Sequence, residues 1–301
     1  MKVIIYGRSA NDPRFEIVLK EFMKGVARSG DQVSYYEGIM YQPCDVAVFF
    51  GSWKDRDTPW HNVKNDIVAK ANNFIVLETP LIGRGPVAEI MQDNWFRIGV
   101  NGFLADTGNF NNQDCDATRW STLSTALGLS LREYNKNPSH KDPVVIPLQL
   151  PGDASLRGAC IEKWVYDAAT EVRSVSDRPI VVRTPQLPRA FDKKYMFKIG
   201  TIPNLTFQEG TRANLFHTLK EAHCTVVYSS GLSVDSLLMG CPTIACSPSN
   251  FCYEAVQNSP SSIEYLYRPD RTQLFYNLSY AQWHVKEMAA GMPWNHLRKQ
   301  L

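Results

Sequence analysis

Residues Thr225 to Ser247 read TVVYSSGLSVDSLLMGCPTIACS, and their order decides the fold. Thr225-Val226-Val227-Tyr228 is a β-branched and aromatic run of the kind that fills a buried parallel strand. Ser229-Ser230-Gly231 breaks it with small residues that leave backbone N–H groups open. Ser233 to Met239 has helical spacing, flanked by Leu232, with Asp235 in the first turn where a carboxylate suits the helix dipole. Gly240 ends that helix, Pro242 blocks its continuation, and Thr243-Ile244-Ala245-Cys246 starts another strand. A small-residue loop between a parallel strand and a helix is also a place where an anion can sit, because N–H groups and the positive helix end converge there. Any doubly wound sheet contains turns of this kind, so both readings stand.

The same alternation runs outward from this unit. In the first half the spacing predicts strands at Val3–Tyr6, Gln32–Tyr36, Asp45–Phe50 and Phe74–Leu77, with helices at Pro13–Ser29 and His61–Asn72. After about Gly99 the pattern loosens, and a helix is expected near Thr118–Ala126. In the second half it predicts a strand at Val144–Leu148, a helix at Cys160–Ser174, a strand at Pro179–Val182 and a helix at Arg212–Ala222, with 186–210 irregular. The last segment, Thr272 to Leu301, reads as helical with a break at Gly291-Met292-Pro293. Strands alternating with helices at this spacing predict parallel sheets covered on both faces. Glu133 to Pro143, polar and turn-rich, reads as a linker. The expected division is an N-terminal domain over 1–138, a C-terminal domain over 139–275, and a helical segment over 276–301 that returns toward the first domain.

Composition narrows the class. The chain has 301 residues, 44% of them hydrophobic and 21% charged, with a net charge of +2. No global basic field calls for nucleic acid, although a local patch suffices for electrostatic binding. No apolar run approaches the ~18–20 residues that span a bilayer, and Met1-Lys2-Val3-Ile4-Ile5 lacks a signal-peptide layout. A soluble, cytoplasmic protein is expected. Seven scattered cysteines and six dispersed histidines form no CxxC, HxxxH or HExxH spacing, which predicts free thiols in a reducing compartment and no metal site.

The motifs exclude further classes. Gly7 stands alone after the first strand, so a dinucleotide fingerprint is missing. There is no GxxxxGK[ST], and SSGLS around Ser230 lacks the first glycine of a nucleophile elbow. What remains is two facing Rossmann-like α/β domains with polar residues at strand C-termini, where ligands of open α/β sheets bind. A cleft between two such domains suits a nucleotide-linked substrate on one side and an acceptor on the other.

Several passages, taken in order, resemble one family. Ile146-Pro147-Leu148-Gln149-Leu150-Pro151-Gly152-Asp153-Ala154-Ser155 is similar to a loop after the first strand of its C-terminal domain. Asp177-Arg178-Pro179-Ile180-Val181-Val182-Arg183-Thr184-Pro185 is similar to its D-R-P…R-x-H-P segment, with Thr184-Pro185 replacing the commoner ending. The SSGLSVDSLLMGCPTIA unit is similar to its donor-binding turn and helix, and Val76–Pro80 and Arg97–Gly102 to its acceptor-side passages. The family is the GT-B glycosyltransferases, in the branch that includes capsule-polysaccharide transferases and related phage-encoded proteins.

The resemblance implies a hexosyl- or pentosyltransferase whose C-terminal domain holds a nucleotide-sugar, with UDP as the expected nucleotide and no cofactor. Ser229, Ser230, Gly231 and Ser233 would supply N–H groups and hydroxyls to the leaving phosphate, and Arg183 a bidentate cation. Gln149, Gly152, Asp153 and Asp235 join the donor side, as does Gly7 in the first turn; Asp153 reads equally as a turn residue. No Asp-x-Asp stands at a strand end, so metal independence is expected. Inverting transfer needs a base on the acceptor side. Glu78, the first polar residue after a buried strand, is the first candidate, in a place similar to that of a carboxylate in phage DNA β-glucosyltransferases. Asp106 is the second. A retaining mechanism would remove the need for either.

The acceptor stays open. Trp53, Lys54 and Arg56, with Arg84 and Asn101 and with Arg97 and Arg119 nearby in sequence, fit 5-hydroxymethylcytosine in phage DNA, since a base must be met outside the stack by aromatic and cationic side chains. Lys54 and Arg56 read equally as solvated charges. A polysaccharide or lipid-linked glycan is the alternative acceptor, with Trp283, Lys286, Trp294, His296, Arg298 and Lys299 as a basic face toward a membrane surface. A sugar-nucleotide epimerase or binding protein of GT-B fold is the alternative function, with Glu254 as its further acidic candidate. The sequence leaves the oligomeric state open.

Overall fold

The computed structural model describes residues 1–10, 12–54, 56–83, 94–135, 139–186 and 190–301. In chain order its strands are β1 (Lys2–Tyr6), β2 (Gln32–Tyr36), β3 (Val46–Phe50), β4 (Phe74–Glu78), β5 (Trp95–Val100), β6 (Val144–Pro147), β7 (Ile180–Pro185), β8 (Leu205–Gly210), β9 (Cys224–Val227), β10 (Thr243–Ala245) and β11 (Gln282–His284). Its helices are α1 (Pro13–Arg28), α2 (Pro59–Lys70), α3 (Thr118–Leu127), α4 (Ile161–Val175), α5 (Lys193–Gly200), α6 (Arg212–Glu221), α7 (Leu232–Leu238), α8 (Thr272–Tyr280), α9 (Val285–Ala289) and α10 (Met292–Leu297). The chain divides into two compact units, Met1–Gly128 with Phe275–Leu301, and Leu129–Leu274.

The first unit is built on a six-stranded sheet in the order β11-β5-β4-β3-β1-β2. β2, β1, β3 and β4 are parallel. Their centre is VAVFF in β3, buried at every position, as a strand covered on both faces requires. Val3, Ile5, Val48, Ile75 and Phe96 pack with Leu19 and Phe22 of α1 and with Trp294 and Leu297 of α10 into one core. Two strands depart from the alternating pattern. β5 is antiparallel to β4, and β11, inside the segment expected to be helical, is antiparallel to β5. Fully buried Gln282 anchors β11: its Oε1 accepts from Leu81 N and Ile82 N, each at 2.9 Å, and its Nε2 donates to Ile82 O at 3.1 Å.

The second unit carries a five-stranded parallel sheet in the order β10-β9-β6-β7-β8. Its core is Val144, Ile146, Ile180, Val182, Val226 and Ile244, covered by Val165, Ala169 and Val172 of α4. α5 and β8 occupy the region the sequence left irregular. β8 is an edge strand whose LTFQEG residues are mostly exposed or half-buried, so no apolar alternation marks it. The quoted unit is β9, α7 and β10, and every residue of α7 is buried. Gly240 ends it with φ +74°, where a Cβ would also meet Glu133 O at 2.1 Å.

Strand order fixes where each sheet can hold a ligand. In the second unit the order reverses between β6 and β9; in the first unit it reverses between β1 and β3. In open α/β sheets ligands bind outside the strand carboxyl ends at such a switch point.

Candidate functional site

At the switch point of the second unit, the residues that follow β6 and β9 are joined by side chains. Gln149 Nε2 donates to Ser229 Oγ at 3.0 Å and to Ser155 Oγ at 3.3 Å, and Gln149 Oε1 accepts from Ser229 N at 3.1 Å. Ser155 and Ser229 hydroxyls lie 2.9 Å apart. Asp153 caps the short 3-10 turn Ala154–Leu156, its Oδ1 accepting from Ser155 N at 2.9 Å and from Ser155 Oγ at 2.7 Å. Four polar side chains, all half-buried, therefore form one connected patch at the two strand ends. Gly152, exposed, turns the chain into that cap with φ +68°.

The rest of the serine loop is committed to its own architecture. Ser230 Oγ accepts from Leu232 N at 3.2 Å, which starts α7 beside half-buried Gly231. Ser233 is buried and donates to Ser230 O and to Asn250 Oδ1, at 3.1 and 2.9 Å. Asn250, which the sequence reading missed, accepts also from Cys252 N and donates to Ser230 O and Tyr228 O. A buried amide with all these partners fixes the loop. α7 is only seven residues long, so it offers little helix dipole to an anion. Ser233 thus acts as a loop brace, and Gln149, Ser155 and Ser229 present the accessible polar atoms.

Arg183, near the end of β7, is 8% exposed. Its Nη2 donates to Thr211 O at 2.9 Å and to Asn214 Oδ1 at 2.7 Å, while Thr211 and Asn214 form the capping box of α6. Its Nε is buried without a partner. Burial works against its charge, and Asp235, itself buried in α7, favours it. Through Nη2 the guanidinium ties β7 to α6.

In the first unit a second polar group gathers at its own switch point. Ser9 Oγ accepts from Phe50 N at 2.9 Å and so links the ends of β1 and β3. Glu78 ends β4: its Oε2 accepts from Ser52 N at 3.0 Å and its Oε1 from Thr79 N at 2.8 Å. On α2, Lys64 is 4% exposed and donates from Nζ to Ser52 O at 3.1 Å. Burial pushes its ammonium down to about 8; the Glu78 charge opposes this and Lys54 adds to it. His61, also buried, is held down to about 4 by burial and by Lys64, Lys54 and Arg56, and its Nδ1 has no partner. The sequence reading missed Lys64 and His61. The available signal was their place on the same helical face as Val63 and Ile67, where apolar residues belong.

The other expected residues fall elsewhere. Trp53 packs edge-on against Phe49, Phe74 and Phe103, as a member of an aromatic cluster. Lys54 is half-buried, with its carbonyl accepting from Asn65 Nδ2, and Arg56 is exposed. Because β5 is antiparallel, Asn101 lies at the start of β4, accepting from Phe74 N at 2.8 Å, at the opposite end of the strands from Glu78. Asp106, exposed, sits in the loop closed there by the Val100–Asn109 bridge. Gly7 belongs to the first unit, and a Cβ there would meet the Tyr35 side chain, 2.2 Å from Oη. Arg97 and Arg119 are buried; Arg119 pairs with Glu287 at 3.0 Å and stacks 3.6 Å from the Trp283 ring centre. Of the basic face expected near the C-terminus, Trp283 and Trp294 are core residues. Arg84 lies outside the described residues.

All seven cysteines are free. Among the described residues no three His, Cys, Asp or Glu side chains are grouped to hold a metal, and no helix is long and apolar enough to cross a membrane.

No protein-family model matches the chain, and no curated protein matches it. Solved structures do. The chain is similar to Thermosulfurimonas dismutans KpsC described as a β-Kdo 2,4 transferase, with a TM-score of 0.55 at 13% identity, over 94% of this chain and 92% of that one. It is similar to KpsC of the same organism described as a β-Kdo 2,7 transferase, with a TM-score of 0.54 at 12% identity, over 97% and 98% of the two chains. At this identity the likeness establishes architecture: the two α/β units make up a GT-B fold.

Proposed function

We propose that the protein is a glycosyltransferase that moves a sugar from a nucleotide-sugar donor, bound by the unit over Leu129–Leu274, to a hydroxyl acceptor. The observation that carries this is the Gln149–Ser155–Ser229 patch at the point where the strand order of that unit reverses. Hydroxyls and an amide at that position suit the oxygens of a diphosphate or ribose. The solved structures similar to this chain over nearly its whole length are described as sugar transferases, which supports the same reading. Glu78, half-buried at the end of β4 and with lone pairs to spare beyond its two backbone bonds, is the acceptor-side base in this proposal.

For the acceptor, 5-hydroxymethylcytosine in DNA now draws support from Lys54 and Arg56, since Arg97 and Arg119 are buried. The test is a panel of UDP-, GDP- and CMP-sugars incubated with the protein alone, with hydroxymethylated DNA, and with glycan acceptors. Sugar transfer or slow donor hydrolysis from one nucleotide class is the expected result. Transfer to glycan but not to DNA removes the DNA reading, and no consumption of any donor counts against glycosyl transfer altogether.

A further inference from the structure

Helix α2 carries a lysine on its buried face. His61, Val63, Lys64 and Ile67 form its buried face, so an ammonium occupies a position where an aliphatic side chain would pack. A lysine has a long apolar stem and can usually carry its charge to water. Lys64 does not: it is 4% exposed, and its Nζ donates to the carbonyl of Ser52. The N–H of that same residue donates to Glu78 Oε2. Ser52 therefore stands between a buried cation and a carboxylate, holding one by its carbonyl and the other by its amide.

The glycine before it makes this arrangement possible. Gly51 has φ +80°, and a Cβ there would lie 3.1 Å from Lys64 Nζ. Gly51 N donates to Leu77 O at 2.7 Å, which fixes the turn against β4 immediately before Glu78. The chain thus keeps a turn that only glycine readily adopts, beside the ammonium it must leave room for.

We propose that Lys64 is a positioning residue for Glu78: by holding the Ser52 carbonyl while the Ser52 amide holds Glu78 Oε2, it fixes the place of the carboxylate. This rests on the reading of Glu78 as acceptor-side base. Among the described residues, the charges that bear on Lys64 are Glu78 at the end of β4, which favours its ammonium, and Lys54 after β3, which opposes it, with His61 on the same face of α2. Glu78 is the carboxylate of this group among the described residues. Loss of the Lys64 proton, which burial brings down to about 8, removes the ammonium that faces it.

The test compares wild type with Lys64→Met, which keeps an unbranched stem one atom shorter and removes the charge. The expected result is a fall in kcat of about 10- to 100-fold, the scale of a small misplacement of a reacting group, with donor KM unchanged. Wild-type kcat should also decline above a pH of about 8, and that limb should vanish in Lys64→Met. Lys64→Met takes the donor from Ser52 O and the cation from beside Glu78, and removing one partner of a buried pair lowers stability, so kcat is read well below the variant's melting temperature. Wild-type kcat with a wild-type pH profile in Lys64→Met overturns the proposal, as does lowered melting with kcat retained. A second measurement decides the matter if the variant fails to fold or if no donor is consumed. The Glu78 carboxyl carbon, assigned by its loss in Glu78→Gln, is followed by 13C NMR in the wild type from pH 6 to 10. A step near pH 8 is expected, and its absence overturns the proposal. A wild type that consumes no donor yet shows the step separates failure of the enzymatic reading from failure of the Lys64–Glu78 link.

Discussion

Glu78 has both carboxylate oxygens in use, one on Ser52 N and one on Thr79 N, and this changes what its substitution should do. Glu78→Gln puts an NH2 group opposite one of those N–H donors, so a half-buried amide loses its acceptor. A stability loss of about 1–3 kcal/mol is expected, together with a ~10²–10⁴-fold fall in transfer. The assay therefore belongs well below the variant's melting temperature; turnover retained there would make Glu78 structural only. His61 gives a second expectation. Its folded value of about 4 lies below the ordinary 6.5, so between those pH values the unfolded chain binds more protons. The contribution of a neutral, buried His61 is complete above pH 6.5 and is lost as the pH falls from there through 4. Urea titrations at pH 7 and pH 4.5 should show His61→Leu losing less stability on acidification than wild type, and equal losses would contradict this. Gln149, Asp153 and Ser229 were legible in sequence as polar residues after apolar strands. Lys64 and His61 were legible only through the helical face they share with Val63 and Ile67, because a charged residue in a helix ordinarily reads as a solvated face.

At the scale of elements, the parallel strands were readable because each is a short, continuous apolar run between turn residues, as in β1, β3, β4, β6 and β9. Direction was not readable. Nothing in WFRIGV states that β5 runs antiparallel, yet that one fact moves Asn101 and the Asp106 loop to the far end of the strands from Glu78. β11 is three residues long and leaves no periodicity to detect. Helix contacts carry a sharper expectation. In α1, a Cβ at Gly25 would fall 1.9 Å from Met288 O of α9 and 2.9 Å from the backbone of Gly291, neither of which is the end of a flexible side chain. Gly25→Ala should therefore destabilise by about 1–3 kcal/mol despite the better helix propensity of alanine. Gly200, at the end of α5, meets only Phe207 at 3.8 Å, so Gly200→Ala should be neutral or stabilising by up to ~1 kcal/mol. Equal melting shifts for the two variants would show that the close approach of α1 to α9 does not govern the difference.

For the whole molecule, the GT-B architecture is shared with structures only 12–13% identical to this chain. The alternation of strands and helices was legible in the sequence, and the order of several short passages, each modest by itself, pointed to GT-B. Transfer is expected to survive EDTA and to gain nothing from Mn²⁺. Asp114-Cys115-Asp116 has the spacing of a metal-binding carboxylate pair, but it lies before α3, and Asp116 Oδ1 already accepts from Thr118 N and Tyr280 Oη at 2.8 and 2.9 Å. Activity abolished by chelation and restored by Mn²⁺ would refute this. The central claim, that the switch point between β6 and β9 holds the nucleotide-sugar, is tested most directly by calorimetric titration of UDP-, GDP- and CMP-sugars into wild type and Gln149→Leu. Saturable binding of one nucleotide class to wild type is expected, weakened about 10-fold or more by loss of the amide, in titrations run well below the variant's melting temperature because Ser229 N also loses its acceptor. Binding of equal strength to both proteins, or to neither, would contradict it.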